Sequence, residues 1–178
     1  MPNAEDTQQS TQETRAGLQA FGAHYEYDVD YLLGLLEDSE PAMAGFAAAM
    51  PLSKYRDALP LEAHFVARIT TMQVDDCGAC AQLNLRMALE AGVDRALLQT
   101  LLYAPETLPA PLLAVRTHTQ AVCGEGPVPS ETVAFLREHY GATALAELAT
   151  AITGSRIYPT LKRALGQQTS CEILSLEF

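Results

Sequence analysis

The chain has 178 residues, of which 48% are hydrophobic, enough material for a sizeable core. A net charge of −11 and a pI near 4.6 exclude a nucleic-acid partner, because a phosphate backbone requires clustered Lys and Arg. No stretch has the run of about 18 apolar residues a membrane span needs, and polar, acidic Met1–Arg15 is not a secretory signal. The expectation is a cytoplasmic protein without a membrane partner, with residues 1–15 disordered and one domain over 16–178.

The elements read as helices throughout: apolar residues recur at three- and four-residue spacing, and period-two β-branched runs are missing. Val29–Leu36 is a short apolar helix, and Pro41 opens a second over Ala42–Met50. A longer helix starts behind Asp57-Ala58-Leu59-Pro60, with Glu62 in its first turn and Leu61, Phe65, Ile69 and Met72 as one apolar face. The next begins at Asp76 as N-cap and runs to Ala91, where Gly92 suits a left-handed C-terminal cap. Asp94 caps Arg95–Leu102, Pro105–Pro111 is a connector, and Leu112–Val122 is helical. After the turn at Gly124-Glu125-Gly126-Pro127, Pro129-Ser130-Glu131 opens a helix that Gly141 ends. Thr143 leads the last, with a stripe of Leu145, Leu148, Ala149 and Ile152 that Pro159 should kink or break. The apolar tail Ile173–Phe178 reads as a docking segment.

Chemistry concentrates at Cys77-Gly78-Ala79-Cys80. Two thiols three positions apart at a helix start can close a disulfide with little backbone movement. At 100° per residue, Cys77, Cys80, Asn84 and Ala88 share one face, opposite a water-facing stripe of Gln82, Arg86 and Glu90. The helix N-terminus favours thiolate, whereas Asp75 and Asp76 oppose it, so the sign of the net effect stays open. Cys123 and Cys171 stand apart from the pair, and neither forms a second CxxC. A zinc site lacks its further ligands and a thioredoxin-like site lacks its preceding strand, so no metal and no cofactor is expected. His118, Arg156 and Tyr158 are candidate pocket residues, with packing as the plainer role of each.

The stretch LPLEAHFVARITTMQVDDCGACAQLNLRMALEAG, Leu59 to Gly92, and the segment from Glu147 to Cys171 resemble the AhpD-like, carboxymuconolactone decarboxylase-like family. The resemblance implies an all-α, homo-oligomeric fold and a thiol peroxidase. Cys80 would then attack the peroxide and Cys77 would close the disulfide. A small peroxide or disulfide would be the substrate, with a thiol electron donor. The family's His one turn past the second cysteine is Asn84 here. Its Glu, one helix length before the first, falls at Phe65, with Glu62 or His64 nearby as replacement. The candidate site is therefore Cys77, Cys80, Asn84, Glu62 and His64. Two other functions stay open: a lyase using Glu62 or His64 without thiols, and a non-catalytic, redox-responsive helical oligomer.

Overall fold

A computed structural model describes residues 4–124 and 126–167, and the proposed docking tail and Cys171 lie outside that range. Every regular element among the described residues is helical. The helices are α1 (Ala4–Tyr25), α2 (Asp30–Asp38), α3 (Glu40–Ala49), α4 (Leu61–Val74), α5 (Gly78–Glu90), α6 (Arg95–Tyr103), α7 (Ala110–Cys123) and α8 (Ser130–Ala164). Short 3-10 turns cover Met50–Ser53 and Pro105–Thr107. None of these helices is long and apolar enough to cross a membrane. Where composition suggests one domain, the chain divides into two compact units, Met1–Met50 and Pro51–Phe178.

In the first unit, α1 occupies most of the segment whose polar composition reads as disordered. Ala, Glu and Gln are good helix formers, and the helix has partners to lean on. Arg15 Nη1 meets Glu37 Oε1 at 2.9 Å, Thr11 Oγ1 donates to Glu40 Oε1, and Leu18 is buried. After α1 the chain turns tightly, with Tyr27 N–H donating to the Gly22 carbonyl at 2.9 Å. A side chain on Gly22 would press on Tyr27 O at 2.8 Å, so the small residue permits the turn. Ser39 caps α3 by accepting from Ala42 N–H at 3.2 Å. Most of α3 is exposed, and only Met43 is buried.

The second unit is built around α4, which packs against α5, α7 and α8. The sequence suggested one apolar face, yet all ten residues from Ala63 to Met72 are buried. A helix enclosed on every side has no solvent face. Its polar residues His64, Arg68, Thr70 and Thr71 are therefore buried too. The core joins Leu59, Val66 and Ile69 to Leu85, Leu98, Val115, Leu136, Leu148 and Ile152. Each such side chain contributes about 1.5–3 kcal/mol of burial.

Two expectations about α8 fare differently. Gly141 does break the helical path, at φ 89° and ψ 166°, so α8 has two arms. Pro159 does not: the second arm keeps helical dihedrals through it to Ala164. A proline inside a helix costs about 3 kcal/mol, and contacts on both sides offset that cost here. Tyr158 Oη lies 3.2 Å from Ser53 Oγ, while Arg156 and Arg163 both bind Asp75. Gly154 lets the 3-10 turn pass close by, since a Cβ there would strike the Ser53 nitrogen and Leu52.

Candidate thiol site

The turn from α4 to α5 is three residues long, and its hydrogen bonds explain its shape. Asp76 N–H donates to Gln73 O at 3.2 Å and Cys77 N–H donates to Met72 O at 2.9 Å. That pair of bonds is a Schellman motif, with Asp76 in the left-handed position at φ 50°. Asp76 thus ends α4 instead of capping α5, a correction to the sequence reading. Cys77 takes the N-cap place, with no side-chain capping bond, and Ala81 N–H donates to its carbonyl at 2.9 Å. The first-turn N–H groups of α5 have no side-chain cap from Cys77, and a helix N-terminus stabilises a thiolate placed near it.

Cys77 and Cys80 stand at disulfide distance, their Cα atoms 5.2 Å apart. They cluster with Met72 and Ala81, and Cys77 keeps 8% exposure against 2% for Cys80. Asn84 and Ala88 are buried on the same face, as the helical spacing predicts, whereas Glu90 is exposed and Gln82 and Arg86 are half-buried. The Asn84 amide donates to the Cys80 carbonyl at 2.7 Å, one turn back. Its Oδ1 is buried without a hydrogen-bond partner, an open acceptor on the cysteine face.

Glu62 and His64 are not brought to this end. His64 lies eight residues before Met72 on α4, about 12 Å along the axis. The hairpin is antiparallel, and Arg68 reaches Met87 Sδ at 3.8 Å, about 15 Å along α5 from Cys77. His64 sits one turn further from the sulfurs than Arg68 does. Its Nε2 is 3.5 Å from Arg68 Nη1, and a guanidinium only donates, so Nε2 accepts and the proton sits on Nδ1. Burial, then the Arg68 and Arg56 charges, hold its pKa down to about 4 against a smaller opposing pull from Glu147. The imidazole is neutral at neutral pH. Glu62 is exposed on the first turn of α4.

The remaining candidates have structural partners or lie on other elements. His118 is buried on α7, and burial lowers its pKa. Cys123 Sγ faces Thr71 Oγ1 at 3.8 Å; burial raises its pKa, and the Thr71 bond and the Arg156 charge oppose that rise. Among the described residues no group of three or more His, Cys, Asp or Glu could hold a metal ion.

Two residues carry more than the sequence reading assigned them. Asp75, 7% exposed, holds Arg156 through both carboxylate oxygens at 3.2 Å, and its carbonyl accepts from Arg163 Nη1 at 2.9 Å. Glu147 accepts from the N–H groups of Asp57, Ala58 and Leu59 at 3.0, 3.1 and 2.8 Å. Burial would raise its pKa, but those three bonds and Arg56 bring it below the ordinary value. An acid inside the apolar run around Leu145 and Leu148 was the available signal for Glu147. No signal pairs Asp75 with a residue 81 positions away. The chain matches no protein-family model, no curated protein and no solved structure.

Proposed function

We propose that this protein is a thiol-dependent oxidoreductase that cycles the Cys77/Cys80 pair between dithiol and disulfide. The observation that carries this reading is two cysteines at disulfide distance on the uncapped start of α5. The AhpD-like resemblance adds a hydroperoxide substrate and a homo-oligomer. The exposed, Ala-rich α3 is a surface available for assembly.

In the forward step the Cys80 thiolate attacks the outer oxygen of a hydroperoxide. The O–O bond breaks, the alkoxide takes a solvent proton and leaves as alcohol, and Cys80 becomes a sulfenic acid. The Cys77 sulfur then displaces hydroxide, which leaves as water with the Cys77 proton as the S–S bond forms. An external dithiol restores the pair, entering at the more exposed Cys77 and releasing the Cys80 thiolate. One peroxide and one dithiol thus give one alcohol, one water and one donor disulfide. Asn84 can orient a thiol or a water through Oδ1 but cannot relay protons. A lyase reading has less behind it, because Glu62 is exposed and His64 Nε2 is engaged by Arg68.

The test is hydroperoxide consumption with a dithiol donor, combined with thiol counting. Wild type loses two thiols per peroxide and turns over. Cys80→Ser loses turnover by at least about a hundredfold, and Cys77→Ser stops at a trapped sulfenic acid on Cys80. A Cys80→Ser protein that consumes peroxide as fast as wild type removes the reading.

A further inference from the structure

Asp75 and Asp76 place acid charge directly before Cys77, and by themselves they disfavour a thiolate. The structure answers that charge from the other end of the chain. Arg156, on the second arm of α8, grips Asp75 with Nε on Oδ2 and Nη2 on Oδ1, both at 3.2 Å. A two-point guanidinium–carboxylate contact fixes direction as well as charge. The Asp75 side chain is 5% exposed and that of Arg156 is 40% exposed, so the acid is buried and the base bridges it to solvent. Arg163, two turns on, donates to the Asp75 carbonyl at 2.9 Å. These two arginines hold Asp75, the first residue of the α4–α5 turn, and Cys77 is the last residue of that turn.

We propose that Arg156 is a positioning residue of the thiol site: it pins the turn that presents Cys77 and cancels the Asp75 charge beside it. This rests on the thiol reading above and adds to it the group that decides how readily the reduced pair ionises. The charged and titratable groups at this end include Asp75 and Asp76 on the turn, Arg156 and Arg163 from α8 with Lys162 buried beside Arg163, and Cys123 from α7. With Arg156 removed, a buried carboxylate loses its two-point partner two positions before Cys77. With Asp75 neutralised, an arginine charge remains there unopposed. The two changes therefore act on the thiolate in opposite directions, which a general loosening of the turn would not do.

The experiment follows iodoacetamide alkylation of the reduced full-length protein from pH 5 to 9, with Cys77 and Cys80 quantified by mass spectrometry. In Arg156→Gln the midpoint of the profile rises and alkylation at pH 7 slows by about threefold to tenfold. In Asp75→Asn the midpoint falls below that of wild type. Arg156→Lys recovers part of the rate, and the Asp75→Asn/Arg156→Gln double variant returns close to wild type. Should Arg156→Gln fail to fold, Asp75→Asn and Arg156→Lys still decide the matter. The proposal is overturned if the two single variants shift in the same direction, or if neither shifts. Reversible peroxide oxidation of wild type is measured alongside. Its absence sinks the thiol reading, whereas its presence with unmoved alkylation profiles sinks only the role of Arg156.

Discussion

The two turns that flank α5, one ending α4 and the other ending α5 itself, close with the same backbone motif and are otherwise built differently. At the start, Asp76 takes the left-handed place at φ 50°, with Cys77 behind it. At the finish, Gly92 takes it at φ 95°, with Gly92 and Val93 N–H donating to Leu89 and Ala88. Glycine adopts that conformation freely, and an acid does so at some cost. The costlier residue sits at the end that carries the sulfurs and receives Arg156 and Arg163 of α8. The far end of the α4–α5 hairpin holds His64, Arg68 and the entry to α4, where Glu147 satisfies the chain. One end has groups able to react. The other has titratable groups engaged in folding.

That contrast breaks most visibly at Glu147. Glu147→Ala leaves three N–H groups without their acceptor, and hydrogen bonds to a charged group are worth about 1.5–3 kcal/mol each. The expected loss is on the order of 5 kcal/mol in urea denaturation, with the folded fraction still able to oxidise its cysteine pair. Loss of thiol oxidation at full stability would instead place Glu147 in the chemistry.

A pH series separates the ends next. His64 ionises near 4 in the folded chain against 6.5 when unfolded. Between those values the unfolded state binds the extra proton, so stability falls as pH drops from about 6.5 to about 4 and levels off below. The size is on the order of 3 kcal/mol. Urea midpoints from pH 7 to pH 4 should show this slope, and His64→Gln should flatten it while leaving thiol reactivity alone. An unchanged slope in that variant would mean that His64 is not the group being titrated.

The smallest effects come from exchanging the two turn residues, with opposite signs. Gly92→Ala should destabilise by about 1 kcal/mol, from backbone strain alone, because open space surrounds the new methyl group. Asp76→Gly should stabilise by about 0.5–1 kcal/mol. Thermal melting that shows both changes with the same sign would refute the shared motif.

Much of this was readable along the chain. The inward set Cys77, Cys80, Asn84 and Ala88 follows from helical spacing, and Gly92 and Gly141 mark real interruptions. Asp94 does cap α6, accepting from Ala96 N–H at 2.9 Å. What misled was local chemistry that distant contacts outweigh. The polar α1 is helical with Thr11 and Arg15 held by later residues, and Pro159 stays inside a helix pinned on both sides. Nearness in sequence also made Glu62 and His64 look like partners of the cysteines. A helix places residues eight apart about 12 Å apart, and the antiparallel return carries the pair away from them.

By itself the sequence determined the helices from α2 onward, because periodicity, caps and glycines act within a few residues of where they stand. It also determined that two thiols share one inward face at a helix start. Only the tertiary structure decided what surrounds them. Asp75 meets Arg156 across 81 positions, and Glu147 meets residues 57 to 59 across 88 to 90. A buried charge takes whatever partner the packing brings within reach, and that choice is made by helices α4 and α8 coming together.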